Sequence, residues 1–192
     1  MSKDTSVMMT PRLKSQYRSE IVGSLKEQLA LANRHQVPEL EKIVINVGLG
    51  RSKDDKQMFE AVRTTLTKIT GQHPVDIIAK KSIASFKIRA GMNTIGMKVT
   101  LRGDRMYEFL DRLVNVVLPR VRDFHGVSKK AFDPQGNYSL GLTEQSVFPE
   151  LSFEDISKLH GLQINFTITQ SDPVKSRALL EAFGIPFEKE NR

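Results

Sequence analysis

The chain has 192 residues, and its 29 Lys and Arg against 22 Asp and Glu give a net charge of +7. With 39% hydrophobic and 27% charged residues, the composition matches an average globular protein and excludes a disordered basic tail. The lack of cysteine excludes disulfides, thiolate catalysis and Cys-ligated metals, and no apolar run approaches the roughly 18 residues that span a membrane. We therefore expect a soluble cytoplasmic protein with a single domain over residues 1–192.

The spacing of hydrophobic and breaker residues predicts four helices and five strands. In chain order these are a helix at 10–33, a strand at 42–48, a helix at 55–70, and strands at 75–79 and 95–102, followed by a helix at 103–119, strands at 138–143 and 162–170, and a helix at 172–184. Residues 80–93 are basic and show no clean period, so we interpret them as a long loop or a loosely paired hairpin. Residues 133–137 are interpreted as a turn.

Three of the predicted strands have one apolar and one polar face. Lys98, Thr100 and Arg102 alternate with apolar residues, Asn46 points away from the apolar face of its strand, and residues 162–170 alternate in the same way. Such strands predict an α+β fold, a two-layer sandwich with a mostly antiparallel sheet of about five strands. The helices are expected to pack on one face of the sheet and to leave the other face open.

The positive charge is concentrated in the middle of the chain. Residues 80–130 hold 12 basic and 4 acidic residues, whereas residues 1–79 hold 12 and 9, and residues 131–192 hold 5 and 9. A block of this kind is typical of a surface that binds a polyanion. A solvated charged face without a partner gives the same pattern, so charge alone does not decide between the two.

Motifs for catalysis and cofactor binding are missing from the sequence. The glycines at 48 and 50 follow a strand, but Lys53 stands where a dinucleotide-binding loop needs glycine, so a tight turn is the better interpretation. The histidines lack the spacing of metal ligands and are interpreted as surface or turn residues: His35, His73, His125 and His160. An enzyme is therefore the weaker hypothesis, and we expect no cofactor and no metal site.

The basic loop contains one aromatic residue among its cations. Phe86 lies between Lys81 and Lys87, where its ring could stack on an exposed base. A hydrophobic anchor for the loop is an equally good interpretation of the same residue. The loop and the polar strand face lie in the same third of the chain, so the two could bind nucleic acid together.

Six segments occur in an order that resembles a known family. They are residues 45–50 (INVGLG), 70–72 (TGQ), 80–89, 99–106 (VTLRGDRM), 118–124 (LPRVRDF) and 136–142 (GNYSLGL). Together they resemble the bacterial large-subunit ribosomal proteins that bind 5S rRNA, the ribosomal protein L-five family. The resemblance extends from about residue 11 to 187 and depends on the ordered series rather than on any single motif.

The resemblance implies a structural constituent of the large ribosomal subunit with a role in translation. Such a protein attaches 5S rRNA to 23S rRNA in the central protuberance, beside neighbouring large-subunit proteins. The other implied partners are the P-site tRNA and a basic protein of the small-subunit head across an intersubunit bridge. The bridge contact is expected from the acidic final third, and no membrane is involved.

The resemblance also implies which residues contact RNA. Contacts to 5S rRNA carry over to Asn46, Gln72 and Thr100, with Lys98 and Arg102 on the same polar strand face. Turn or sheet hydrogen bonding is the alternative role for the first three. The loop from 80 to 96 is expected to reach the P-site tRNA through Lys80, Lys81, Ser82, Phe86, Lys87 and Arg89. Other rRNA contacts are expected from Arg105, Arg120 and Arg122.

The sequence departs from the family pattern at three places. Residues 1–9 are expected to form a flexible extension of the domain. Residues 91–96 (GMNTIG) lack the proline that the family usually has in this segment and hold one extra residue, and His125 stands where the family has arginine. Two functions from other classes remain open. An RNA-modifying or RNA-processing enzyme would turn over an RNA substrate, and a general nucleic-acid chaperone would bind single strands of any sequence with similar affinity.

Overall fold

The computed structural model describes residues 10–50, 55–92, 94–170 and 172–188. The strands are β1 (Glu39–Gly48), β2 (Val75–Ile78), β3 (Thr94–Leu101), β4 (Tyr138–Leu142) and β5 (Leu162–Thr169). The α-helices are α1 (Arg12–Gln16), α2 (Val22–Gln28), α3 (Lys56–Thr70), α4 (Gly103–Arg112) and α5 (Pro173–Ala182). The predicted extension at residues 1–9, together with Lys53 and Asn93, lies outside the described residues.

The five strands form an antiparallel sheet in the order β2-β3-β1-β5-β4. The α+β class and the antiparallel sheet of five strands are therefore confirmed. Strand β1 is central, and it pairs with β3 on one side and with β5 on the other. The connection from β1 to β3 contains α3 and β2, so chain neighbours are separated in the sheet.

The core lies against one face of the sheet. Ile43, Ile45 and Val47 of β1 are almost fully buried, while the residues between them remain partly accessible. Helix residues such as Leu66 of α3 and Leu110 of α4 belong to the same hydrophobic cluster. Alternation in the sequence therefore places one strand face in the core and leaves the other partly or fully accessible.

Helices α3 and α5 begin within one residue of their predicted starts at 55 and 172. The Asp55 side chain accepts a hydrogen bond from the Met58 amide at 3.1 Å and caps the start of α3, and Gly71, with φ of +66°, follows the last residue of the helix. At α5, the Asp172 side chain accepts from the Lys175 amide at 2.8 Å, and Pro173 occupies the first turn. Both caps satisfy backbone groups that the helix itself leaves unpaired.

The first predicted helix differs from the structure in two respects. A π-helical turn at Tyr17–Ile21 separates α1 from α2, and α2 ends at Gln28 instead of near residue 33. The helix ends there because Ala30 adopts φ of +49° and the Leu31 amide bonds to the Lys26 carbonyl at 3.0 Å. Regular apolar spacing alone does not reveal this reversal.

The third helix continues further than its α-helical part. A π-helical turn at Leu113–Val117 and a 3-10 turn at Leu118–Arg120 follow α4. Pro119, at which the predicted third helix ends, lies in that final turn. A proline cannot donate an amide hydrogen, so the regular α-helical ladder does not extend through it.

His160 corrects one expectation from the sequence. It was expected at a surface or turn, but it is only 8% exposed, at the end of the long β4–β5 connection. Its amide donates to the Gln145 side-chain oxygen at 2.8 Å, and the Gln145 side chain donates to the Lys158 carbonyl at 2.9 Å. Burial lowers the pKa of His160. The buried Gln145 thus ties together the two ends of the connection, which no local sequence pattern indicates.

Within the described residues, no helix is long and apolar enough to cross a membrane. The described ranges also contain no group of three or more His, Asp or Glu side chains arranged to hold a metal ion.

The central pairing of β1 with β5 predicts a large effect of Phe166→Ala. Phe166 of β5 is fully buried opposite Ile43, so truncation should leave a cavity and lower the free energy of unfolding by about 3–5 kcal/mol. Phe153→Ala is the matched control, because Phe153 is 92% exposed and should change stability by less than about 0.5 kcal/mol. Urea denaturation measures both, and equal effects would contradict the assignment of the core.

Candidate nucleic-acid interface

The accessible face of the sheet carries two rows of side chains, which are polar except for Val44. We call this surface the outer face. In the first row Lys98 of β3, Asn46 of β1 and Gln163 of β5 are neighbours in the strand register. In the second row Thr100 of β3, Val44 of β1, Asn165 of β5 and Ser139 of β4 are neighbours.

Strand pairing fixes the spacing of these side chains. Adjacent strands lie about 4.8 Å apart, so the row from Lys98 through Asn46 to Gln163 spans about 10 Å. Lys98 and Gln163 are exposed and Asn46 is partly exposed, as the sequence predicts for Asn46. The sequence identifies the polar side of β5 but assigns it no contact. Only the register reveals that Gln163 lies beside Asn46.

Gln72 reaches the same surface from the end of α3. After the left-handed Gly71, the Gln72 amide donates to the Thr70 hydroxyl at 3.2 Å. The Gln72 side chain then donates to the Thr100 backbone carbonyl at 3.3 Å. Strand β2 begins opposite Lys98 and does not extend to Thr100, so Gln72 occupies the position where a strand neighbour would be. The structure therefore brings together Gln72, Thr100 and Asn46.

Lys98 of β3 and Arg102, which directly follows β3, have different surroundings. Arg102 donates to the Glu41 carboxylate at 2.9 Å, and this bond lowers the pKa of Glu41. Lys42 lies 3.4 Å from the same carboxylate oxygen. Lys98 makes no ion pair with another described residue. The charge of Lys98 is therefore directed to the solvent, whereas that of Arg102 is partly balanced.

The basic loop, residues 80–92, connects β2 to β3 at one end of the sheet. Ile83 and Ile88 form an isolated antiparallel bridge with amide-to-carbonyl distances of 2.9 and 3.1 Å. The Ser82 hydroxyl accepts from the Ala90 amide at 3.0 Å, so Ser82 shapes the loop. The described part of this segment is therefore a loosely paired hairpin, which is one of the two interpretations that the sequence allows.

The side chains of the basic loop extend into the solvent. The predicted contact residues of this loop are all exposed: Lys80, Lys81, Ser82, Phe86, Lys87 and Arg89. Phe86 is 66% exposed and lies outside the hydrophobic core. Much of the Phe86 ring is therefore accessible for stacking.

The remaining predicted rRNA contacts lie away from the outer face. Arg105 is exposed on α4, whose buried residues pack against the opposite side of the sheet. Arg120 and Arg122 are exposed at the end of the same helical segment. The basic block at 80–130 is therefore divided between the outer face with its loop and the helical layer.

Some acidic residues of the final third of the chain form ion pairs within the protein. Asp155 lies 2.7 Å from Lys68 of α3, and the hydrogen bond from Lys68 lowers the pKa of Asp155 to about 2. Glu150 is bonded to Arg112 of α4, while the cation Lys158 lies 2.7 Å from Asp55. These pairs attach the connection between β4 and β5 to the helices.

Comparison with protein-family models identifies two matches. Residues 33–89 match the model described as Ribosomal protein L5, and residues 94–187 match the model for the C-terminus of the same ribosomal protein family. The first match includes β1 and the basic loop up to Arg89, and the second includes β3, β4 and β5.

Individual relatives agree with these matches over almost the full chain. The large ribosomal subunit protein uL5 of Carboxydothermus hydrogenoformans is 50% identical over 179 residues, which cover 93% of this chain and 99% of the relative. The proteins of the same name from Desulforamulus reducens and a Synechococcus species are each 52% identical to this chain, and each match covers 93% of it. The matched segments cover 98% and 99% of these two relatives, respectively. The two family models together match most of the chain, and the matched segments contain all the strands of the outer face. This chain therefore belongs to the ribosomal protein L5 family.

Proposed function

We propose that this protein binds 5S rRNA through the outer face of its sheet and helps to attach it to 23S rRNA in the central protuberance. As a member of the ribosomal protein L5 family, the chain is a structural constituent of the large ribosomal subunit and not an enzyme. The observation that carries the proposal is the convergence of Asn46, Gln72 and Thr100 on one accessible surface beside Lys98.

The chemistry of this surface suits the backbone of folded RNA. Asn46 offers an amide donor and acceptor, and Thr100 offers a hydroxyl that can do both. These short side chains allow the flat strand face to approach ribose hydroxyls and phosphates in the shallow minor groove of an A-form helix. Lys98 adds a charge whose attraction to phosphate does not depend on base sequence.

The basic loop is suited to a second RNA, and we propose the P-site tRNA as its partner. Its exposed lysines and arginine provide attraction that is independent of sequence, as contact with many different tRNAs requires. The exposed ring of Phe86 supplies a flat surface on which a base can stack. The loop extends from the end of the sheet, so it can reach past an RNA that lies on the outer face.

The connection between β4 and β5 is suited to a protein partner. Phe153 is 92% and Leu159 57% exposed, and the acidic Glu154 beside Phe153 is also exposed. Apolar residues surrounded by charged ones are typical of protein contacts. We propose that this connection provides the contact with the basic protein of the small-subunit head. Because Asp155 and Glu150 are already paired internally, Glu154 is better placed than either to meet a basic partner.

The outer-face proposal predicts selective binding that depends on neutral side chains. The protein should bind 5S rRNA more tightly than an unrelated RNA of equal length. Asn46→Ala and Thr100→Ala should each weaken binding about three- to tenfold, because each removes one hydrogen bond worth about 0.5–1.5 kcal/mol. Filter binding between 50 and 300 mM salt measures affinity and its salt dependence. The salt dependence should remain unchanged in both variants, since neither removes a charge.

Thr64→Ala provides the matched control, because Thr64 is exposed on α3 in the helical layer. It should bind 5S rRNA like the unaltered protein. Equal affinity of the unaltered protein for 5S rRNA and the unrelated RNA would contradict the proposed function. Equal affinity for 5S rRNA and polyuridylate would indicate a general nucleic-acid chaperone.

The pairing of Arg102 with Glu41 predicts a variant with stronger binding. Glu41→Gln removes a carboxylate near the outer face and releases Arg102 for contact with phosphate. We expect about two- to fivefold tighter binding to 5S rRNA, with a salt slope steeper by about one. The same titration measures both quantities. Glu27→Gln on α2 makes the same change in charge in the helical layer and should have a smaller effect. Unchanged or weaker binding by Glu41→Gln would contradict the role of Arg102.

A further inference from the structure

We infer that the backbone of Gly48 and the side chain of Gln163 form a further RNA contact beside Asn46, which takes phosphate or ribose oxygens of the RNA backbone. We call these two residues, at the point where β5 begins, the notch. The sequence analysis assigns no contact to either of them. The inference rests on the proposed function, because it requires RNA to lie on the outer face. It adds main-chain groups to a surface whose proposed RNA contacts are otherwise side chains.

The strand register places the two residues of the notch close together on the outer face. Gly48 is the last residue of β1 and lies two positions after Asn46, so it faces the same side of the sheet. Gln163 is paired directly with Asn46, which makes it the diagonal neighbour of Gly48 at a distance of about 7–8 Å. Both Gly48 and Gln163 are exposed. The notch therefore continues the polar row toward the end of β1.

Strand pairing leaves the main-chain groups of Gly48 available. The Leu49 amide donates to the Ile95 carbonyl of β3 at 2.8 Å. Because successive residues of a strand direct their main-chain groups to opposite sides, the amide and carbonyl of Gly48 point toward β5. The pairing of β5 with β1 ends at Gln163, and among the described residues no hydrogen bond reaches Gly48 on this side. One donor and one acceptor are therefore free at the surface.

Nothing in the described part of the chain requires glycine at position 48. Gly48 does not have a positive φ, and an added Cβ would meet no atom within 4 Å beyond its chain neighbours. Gly96, its partner on β3, is different, because an added Cβ there would lie 2.6 Å from the Val47 carbonyl oxygen. Glycine weakens a strand, and it often marks a place where a ligand approaches the main chain closely. The bare main chain at Gly48 is suited to such an approach.

The Gln163 side chain is available for the same ligand. It forms no hydrogen bond with another described residue. The next polar pair on the outer face is used internally, since the Ser139 hydroxyl donates to the Asn165 side-chain oxygen at 2.9 Å. The residue opposite Gln163 on β4 is Gly141, which has no side chain to cover it. Gln163 can therefore reach a ligand that Asn46 already contacts.

The groups of the notch match the oxygen atoms along an RNA backbone. Main-chain amides donate hydrogen bonds to phosphate oxygens, and a ribose 2′-hydroxyl both donates and accepts. The Gly48 amide and the Gln163 side-chain NH₂ group can donate to either oxygen, and the Gly48 carbonyl can accept from the hydroxyl. None of these groups carries a charge, so the contribution of the notch to affinity should not change with salt.

The test compares Gly48→Ala and Gln163→Ala with two control variants on α2, Gly23→Ala and Gln28→Ala. Both control positions are exposed, and Gly23 also has room for a Cβ and no positive φ. Filter binding with 5S rRNA at several salt concentrations measures affinity. We expect each notch variant to bind about three- to tenfold more weakly, with an unchanged salt slope. The control variants should bind like the unaltered protein.

Thermal unfolding distinguishes a lost contact from a damaged fold. Gly48→Ala should unfold at the same temperature as the unaltered protein or at a higher one, because alanine is more favourable than glycine within a strand. Gly96→Ala should unfold at a lower temperature, since its Cβ would collide with the Val47 carbonyl. A lower unfolding temperature for Gly48→Ala would mean that the fold itself requires this glycine, and would overturn the inference.

The outcomes separate this inference from the proposed function. If the unaltered protein prefers 5S rRNA to an unrelated RNA of equal length, but both notch variants bind like the controls, the notch is wrong and the proposed function stands. If there is no preference, but both notch variants bind both RNAs more weakly than the controls, the proposed function is wrong and the notch binds RNA generally. The absence of both the preference and the notch effect overturns both.

Discussion

The position of β1 between β3 and β5 is the constraint on which the candidate interface depends. Pairing on both sides fixes which residues of β1 enter the core, and Ile43, Ile45 and Val47 occupy those positions. Because side chains alternate along a strand, the same pairing fixes Asn46 on the outer face. A shift of the strand register by one residue would bury Asn46 and expose Ile45. The pairing that buries the core therefore also places the polar row on the outer face.

Much of this arrangement follows from local sequence patterns. Alternation along β1, β3 and β5 is strong enough to predict both the strands and their polar sides, including Asn46 and Thr100. The caps of α3 and α5 are predictable because Asp55 and Asp172 precede apolar helical spacing. These features depend on interactions between residues a few positions apart.

Other features depend on contacts between distant parts of the chain. Gln72 reaches the Thr100 carbonyl 28 residues away, and the polar row exists only because β1, β3 and β5 pair in one register. His160 is buried because Gln145 ties it into the connection between β4 and β5. The basic block looks continuous in the sequence, yet Arg105 lies in the helical layer and Lys98 on the outer face. Counting charges along the chain cannot reveal this division, because it depends on the layer of the fold in which each residue lies.

Chemical footprinting of lysines with and without 5S rRNA tests most directly whether the outer face binds RNA. An amine-reactive reagent and mass spectrometry would measure the reactivity of Lys98, with Lys26 and Lys56 in the helical layer as internal references. If RNA lies on the outer face, 5S rRNA should protect Lys98 and leave Lys26 and Lys56 as reactive as in the protein alone. Unchanged reactivity of Lys98 in a saturated complex, or protection of Lys26 and Lys56 instead, would contradict this account.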